Sequence, residues 1–72
     1  MKPEVKITDV EIWPASGYFG RAYEGQEVAT GVLAEKDHRG WPEGYPIRTS
    51  IIVNYNEEDG IIETLNTIYI IV

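Results

Sequence analysis

The sequence predicts an all-β fold: a small antiparallel sheet or barrel of four to five strands carrying two long loops. Three observations lead there. Val, Ile, Thr and Tyr recur along the chain, and these residue types suit a pleated, half-buried surface. Gly and Pro punctuate it every ten or so residues, as turns between short strands do. No stretch shows the apolar spacing of a helix face.

The first strand is expected over Glu4 to Trp13. Its apolar residues change parity midway, with Val5 and Ile7 on one face and Val10 and Ile12 on the other. A β-bulge or bend near Thr8-Asp9 would bring both pairs into one core. Pro14 to Gly25 reads as a long loop, and Gln26 to Glu35 as a second strand with Val28, Thr30, Val32 and Ala34 on one face. Lys36 to Pro46 is the second long loop, where Pro42-Glu43-Gly44 suits a type I turn. Ile47 to Tyr55 reads as a third strand. Asn56 to Gly60 is a hairpin connection with Asp59-Gly60 where positive φ is wanted. Ile61 to Leu65 returns antiparallel, and Asn66-Thr67 either turns into a last strand, Ile68 to Val72, or continues the same one.

That last segment is strongly β-prone, without charge or proline. An exposed edge of this kind invites aggregation, so it belongs in mid-sheet, under cover, or paired with a second copy.

With 72 residues the chain is one domain, 1–72. A chain of this length buries only about 60% of the surface its unfolded form exposes. Such thin cores are usually reinforced by disulfides, a metal or a partner chain. There is no cysteine and only one histidine, His38, which leaves self-association into a homo-oligomer as the expected reinforcement. Met1-Lys2-Pro3-Glu4 leads straight into alternating residues, so neither a signal peptide nor a membrane association is expected. The net charge is −6, from twelve acidic and six basic residues. General nucleic-acid binding, which rests on Lys and Arg, is therefore not expected. All six cations precede Thr49, and the acidic groups Glu57, Glu58, Asp59 and Glu63 follow it.

Catalytic and metal motifs are not found. His38 follows Asp37, and Ser16 and Ser50 are the only serines, but no nucleophile elbow surrounds either. The Asn54 to Gly60 run fails the spacing of a calcium loop, because counting from Tyr55 puts Asn66 at the twelfth position. Gly17 and Gly20 lack the Lys-Ser or Lys-Thr of a phosphate loop. No enzyme, cofactor or metal is expected.

The two loops are the candidate site. The first offers Trp13, Tyr18, Phe19, Arg21 and Tyr23. The second offers His38, Arg39, Trp41 and Tyr45 and leads into Arg48-Thr49-Ser50. Aromatic and arginine side chains are enriched at recognition hot spots. They also suit a nucleotide, with rings stacking on the base while Arg and hydroxyls hold phosphate. The binding set is Tyr18, Phe19, Arg21, Arg39, Trp41, Tyr45, Arg48 and Thr49. The alternative is that Trp13, Tyr18, Phe19 and Trp41 fold back as lids over the ends of a small barrel.

From Pro42 to Tyr69 the chain carries a Gly–Ile–Thr-Ser–strand block, Gly44-Tyr45-Pro46-Ile47-Arg48-Thr49-Ser50-Ile51-Ile52-Val53. A Thr, a small turn and a Tyr follow in Thr64-Leu65-Asn66-Thr67-Ile68-Tyr69. This half resembles short accessory proteins of tailed phages and prophages, while the first half matches no named family. The resemblance implies no catalytic residues. It implies a setting in the host bacterial cytoplasm and a counter-defence role: blocking host immunity by stoichiometric binding of a protein effector, or sequestering a nucleotide second messenger. The alternative is a small structural or assembly protein of a phage particle that adds its β-edge to a neighbour.

Overall fold

A computed structural model describes the whole chain, Met1 to Val72. Six strands form one sheet: β1 (Glu4–Pro14), β2 (Glu27–Leu33), β3 (Pro46–Arg48), β4 (Ile52–Asn56), β5 (Ile61–Thr64) and β6 (Ile68–Ile71). They lie in the order β3-β2-β1-β6-β5-β4. The fold is all-β, with six strands rather than four or five. It is also not wholly antiparallel, because β1 and β6 run parallel, with Val5 opposite Tyr69 and Ile7 opposite Ile71.

The extra strand comes from the expected third strand, Ile47 to Tyr55. It divides at Thr49 to Ile51: its first part pairs with β2 and its second with β5. That division shapes the molecule. Four Cα steps join Arg48 to Ile52 and span at most about 15 Å. The edges of a flat six-stranded sheet would stand about 24 Å apart. The sheet must therefore curl until its edges approach, and the core lies inside the curl.

Val5, Ile7, Ala29, Leu33, Ile47, Ile62 and Tyr69 form that core. Val5, Tyr69 and Ile62 stand side by side across β1, β6 and β5, and Ile7 stands opposite Leu33. The parity change in β1 is met by a register shift between Thr8 and Glu11, where Asp9 takes φ +56°. Aspartate tolerates this left-handed backbone better than most residues. Val10 and Ile12 then pack against the same core as Val5 and Ile7.

The alternation expected in β2 is present, and the opposite set of residues turns into the core. Ala29, Gly31 and Leu33 are buried, whereas Thr30, Val32 and Ala34 are only half-buried. Gly31 explains why the inward face reads poorly as a pattern: a Cβ there would stand 3.0 Å from the Thr8 carbonyl oxygen at the bulge. The outward face is not bare either. Val28 is fully buried outside the core cluster, and Trp13, opposite it, donates its indole N–H to Thr30 Oγ1 at 2.9 Å.

The turns follow their chemistry. The Tyr45 N–H bonds the Pro42 carbonyl at 3.2 Å with Gly44 at φ +87°, which makes this turn type II and not type I. Gly60 takes φ +67° in the β4–β5 connection, as expected. Asn66-Thr67 does turn the chain: the Thr64 N–H bonds the Thr67 carbonyl at 3.0 Å, so the C-terminus holds two strands. The apolar β6 sits in mid-sheet between β1 and β5, with both edges paired. No helix of the protein is long and apolar enough to cross a membrane.

Candidate functional site

Both long loops are stapled at their bases, which gives their side chains fixed positions. In the first, the buried Ala15 donates its N–H to the Gln26 carbonyl at 2.8 Å. Its carbonyl accepts from Tyr18 and Phe19 and starts a single helical turn, α1 (Ser16–Phe19), followed by a 3-10 turn over Arg21–Tyr23. Phe19 and Tyr23 stack tilted, 5.4 Å between centroids.

The second loop is built on Asp37, whose side chain is closed off from solvent. Oδ1 accepts from the backbone N–H of Arg39 at 3.0 Å and of Trp41 at 2.9 Å. Oδ2 accepts from Arg39 Nε at 2.9 Å and pairs with a second guanidinium nitrogen at 2.8 Å. This fixes the Arg39 guanidinium 4.2 Å from the Trp41 ring centroid, and Tyr45 stacks on Trp41 at 4.9 Å. Burial by itself would raise the Asp37 pKa, but the Trp41 N–H, the Arg39 hydrogen bonds and the Arg39 charge together hold it below the ordinary value.

A carboxyl depressed in the folded state stabilises above its unfolded pKa, about 3.9, and loses that contribution as pH falls through the lower folded value. The 37–45 loop is therefore expected to keep its order through mild acid and to loosen only in strong acid. In Asp37→Asn the acid step should disappear. An NMR pH titration of the Trp41 amide reads this directly, and an unchanged acid step in that variant would refute the assignment.

The two loops meet at one cleft of about 510 Å³. The first contributes Phe19, and the second His38 and Arg39. Arg48 comes from the end of β3, Ser50 from the segment joining β3 to β4, and Asn66 and Thr67 from the β5–β6 turn. No carboxylate lines it. The Arg48 guanidinium lies 4.8 Å from the Phe19 centroid and 5.2 Å from that of Tyr18. The only ion pairs in the protein are Lys2–Glu63 and Arg39–Asp37, so the Arg48 charge has no carboxylate partner. A slightly larger depression, about 540 Å³, lies beside β1, β2 and β3. Asp9 and Glu11 line it, and their charge opposes an anion there.

Of the expected site residues, Phe19, Arg39 and Arg48 line the cleft, and Tyr18 supports Arg48. Trp41 and Tyr45 stand behind Arg39 as a stack. Arg21 is exposed on the 3-10 turn and does not line the cleft. Thr49 is corrected: it is 1% exposed, and its hydroxyl accepts from the Ala29 N–H and donates to the Ser50 carbonyl. Its role is to fasten the crossing segment to β2. Trp13, Tyr18, Phe19 and Trp41 are each 39–45% exposed, so each leaves part of its ring open to a partner while covering what lies beneath it. Only Tyr69 of the eight aromatic residues is buried.

Thr64, Asn66, Thr67 and Tyr69 also reach the cleft. Nothing in their local pattern marks them, because they arrive through strand order and not through chain proximity. His38 and Ser50 share the cleft, but Asp37 commits both oxygens to Arg39 and Trp41, and no hydrogen bond links His38 to Ser50.

Compared with known proteins, the chain matches no protein-family model, no curated protein and no solved structure.

Proposed function

We propose that this chain is a non-enzymatic binding protein that takes a nucleotide-type anion in the cleft between its two loops. The observation that carries the reading is Arg48. A guanidinium without a carboxylate partner, held against two half-exposed rings at a cleft free of acidic groups, is poised for a phosphate. Arg39 also lines the cleft, but its charge is balanced by Asp37, so Arg48 carries the anion's charge alone, and the Ser50 and Thr67 hydroxyls and the Asn66 amide supply neutral partners. The Phe19 ring offers a base an apolar face.

In the phage setting implied by the C-terminal half, such a protein acts by stoichiometry: it sequesters a nucleotide immune signal in the host cytoplasm. Native mass spectrometry with linear and cyclic nucleotides tests this. The expected result is a stoichiometric nucleotide adduct that is lost in Arg48→Ala. A wild-type species that ignores every nucleotide would overturn the reading and turn the search to a host protein effector, by pull-down, or to a phage particle.

A further inference from the structure

Arg48 stands between two depressions of opposite character. It is the one residue that lines both the cleft and the neighbouring hollow beside β1, β2 and β3. In the strand register Glu11 pairs with Thr30, and Thr30 with Arg48. Glu11 and Arg48 therefore flank Thr30 on one face of the sheet, with their Cα atoms about 10 Å apart. Asp9, at the bulge in β1, also lines the hollow. Neither carboxylate has an ion pair.

The charge available to a ligand in the cleft is small. Arg39 is matched by Asp37, and Lys2 by Glu63. Lys6, Arg21 and Lys36 do not line the cleft. One free guanidinium remains there, in a chain of net charge −6. A terminal phosphate carries about −1.5 to −2 charges near neutral pH, and a polyphosphate carries more. Polyphosphates are commonly held by several positive groups and by magnesium seated on a carboxylate. The cleft has no carboxylate. A phosphodiester carries a single negative charge and two unesterified oxygens. It matches the charge of Arg48, and its two free oxygens match the two-pronged guanidinium.

Resting on the nucleotide reading of this cleft, we infer that its ligand is a phosphodiester, as in a cyclic nucleotide, and not a nucleotide ending in a free phosphate. Glu11, with Asp9 beside the same hollow, enforces that choice by repelling any further phosphate that runs past Arg48.

Isothermal titration tests this with cyclic mono- and dinucleotides against the 5′-monophosphates and 5′-triphosphates of the same bases, with and without magnesium. His38 lines the cleft and adds charge only when protonated, so the comparison is made at pH 8. The tightest ligand should be a phosphodiester, favoured at least about tenfold over a terminal phosphate on the same base. Glu11 is exposed and lies outside the cleft. Glu11→Gln should keep the wild-type circular dichroism and narrow the gap by tightening the triphosphate. A terminal phosphate that binds as well as the phosphodiester overturns this inference and leaves the nucleotide reading standing. An unchanged gap in a folded Glu11→Gln overturns the role of Glu11. No binding by any member of the panel overturns both readings, and the wild-type comparison decides alone if the variant fails to fold.

Discussion

Ile7→Ala is expected to remove a large fraction of the stability of this protein. Ile7 is wholly buried and stands between Leu33 on one side and Ile71 on the other, where β1 joins the two halves of the sheet. Truncating a buried isoleucine to alanine costs about 2–5 kcal/mol, partly for lost transfer and partly for the cavity left behind. At 0.05–0.15 kcal/mol per residue, a chain of 72 residues has a total stability of roughly 4–11 kcal/mol. One substitution therefore takes from about a fifth to all of it, and where the highest cost meets the lowest stability the variant is unfolded at room temperature.

Urea denaturation should show a midpoint shifted strongly downward with little change in slope, since the same surface is exposed on unfolding. Ile7→Val, which removes one methyl group, should cost only about 0.5–1.5 kcal/mol. A loss below about 1 kcal/mol for alanine would mean that the sheet does not close over Ile7 as described.

The sensitivity of this residue follows from how the curl is made. Only seven buried side chains form the core cluster, and no helix covers either face. The core exists because the segment from Pro46 to Asn56 changes partners halfway. Thr49 secures that change with a backbone bond to the Ala29 carbonyl at 2.8 Å and a hydroxyl that receives the Ala29 N–H at 3.0 Å.

The class of fold, the bulge in β1, the glycine at the β4–β5 turn and the two loops were all legible in the sequence, because each rests on local chemistry. Val5, Ile7, Val10 and Ile12 announce a register shift by parity alone. The sixth strand was not legible. An uninterrupted run from Ile47 to Tyr55 reads as one strand, since nothing between Arg48 and Ile52 is a Gly or a Pro. The break there is set by which neighbours each half meets. Which face of β2 turns inward was not legible either. Val28, Thr30, Val32 and Ala34 alternate well, but the close approach at Gly31 decides that Ala29 and Leu33 turn inward.

The site followed the same division. Aromatic and arginine content marked the loops, and Phe19, Arg39 and Arg48 do meet. Thr49 was misassigned because a hydroxyl beside an arginine looks the same in sequence whether it faces a ligand or a backbone amide. The turn residues Asn66 and Thr67 enter the cleft only because β5 and β6 lie where they do.

Arg48→Ala should weaken nucleotide binding at least about tenfold while leaving the fold intact. Arg48 is exposed, its guanidinium has no ion pair, and its rings are partners it touches at the surface. Losing it should therefore change folding stability by less than about 1 kcal/mol, as for other exposed cation–π contacts. Binding should suffer far more. A hydrogen bond to a charged group contributes about 1.5–3 kcal/mol, or roughly a 10- to 150-fold change in affinity. Arg48→Lys keeps the charge but loses the planar, two-pronged donor and should recover binding only in part. Phe19→Leu keeps apolar bulk and removes the ring, so it should weaken binding by about 1–3 kcal/mol if a base stacks there. Isothermal titration with the nucleotide found by mass spectrometry, run beside thermal melts, separates the cases. Full affinity in Arg48→Ala would exclude this cleft. A large drop in melting temperature would instead make Arg48 a structural residue that holds the first loop in place.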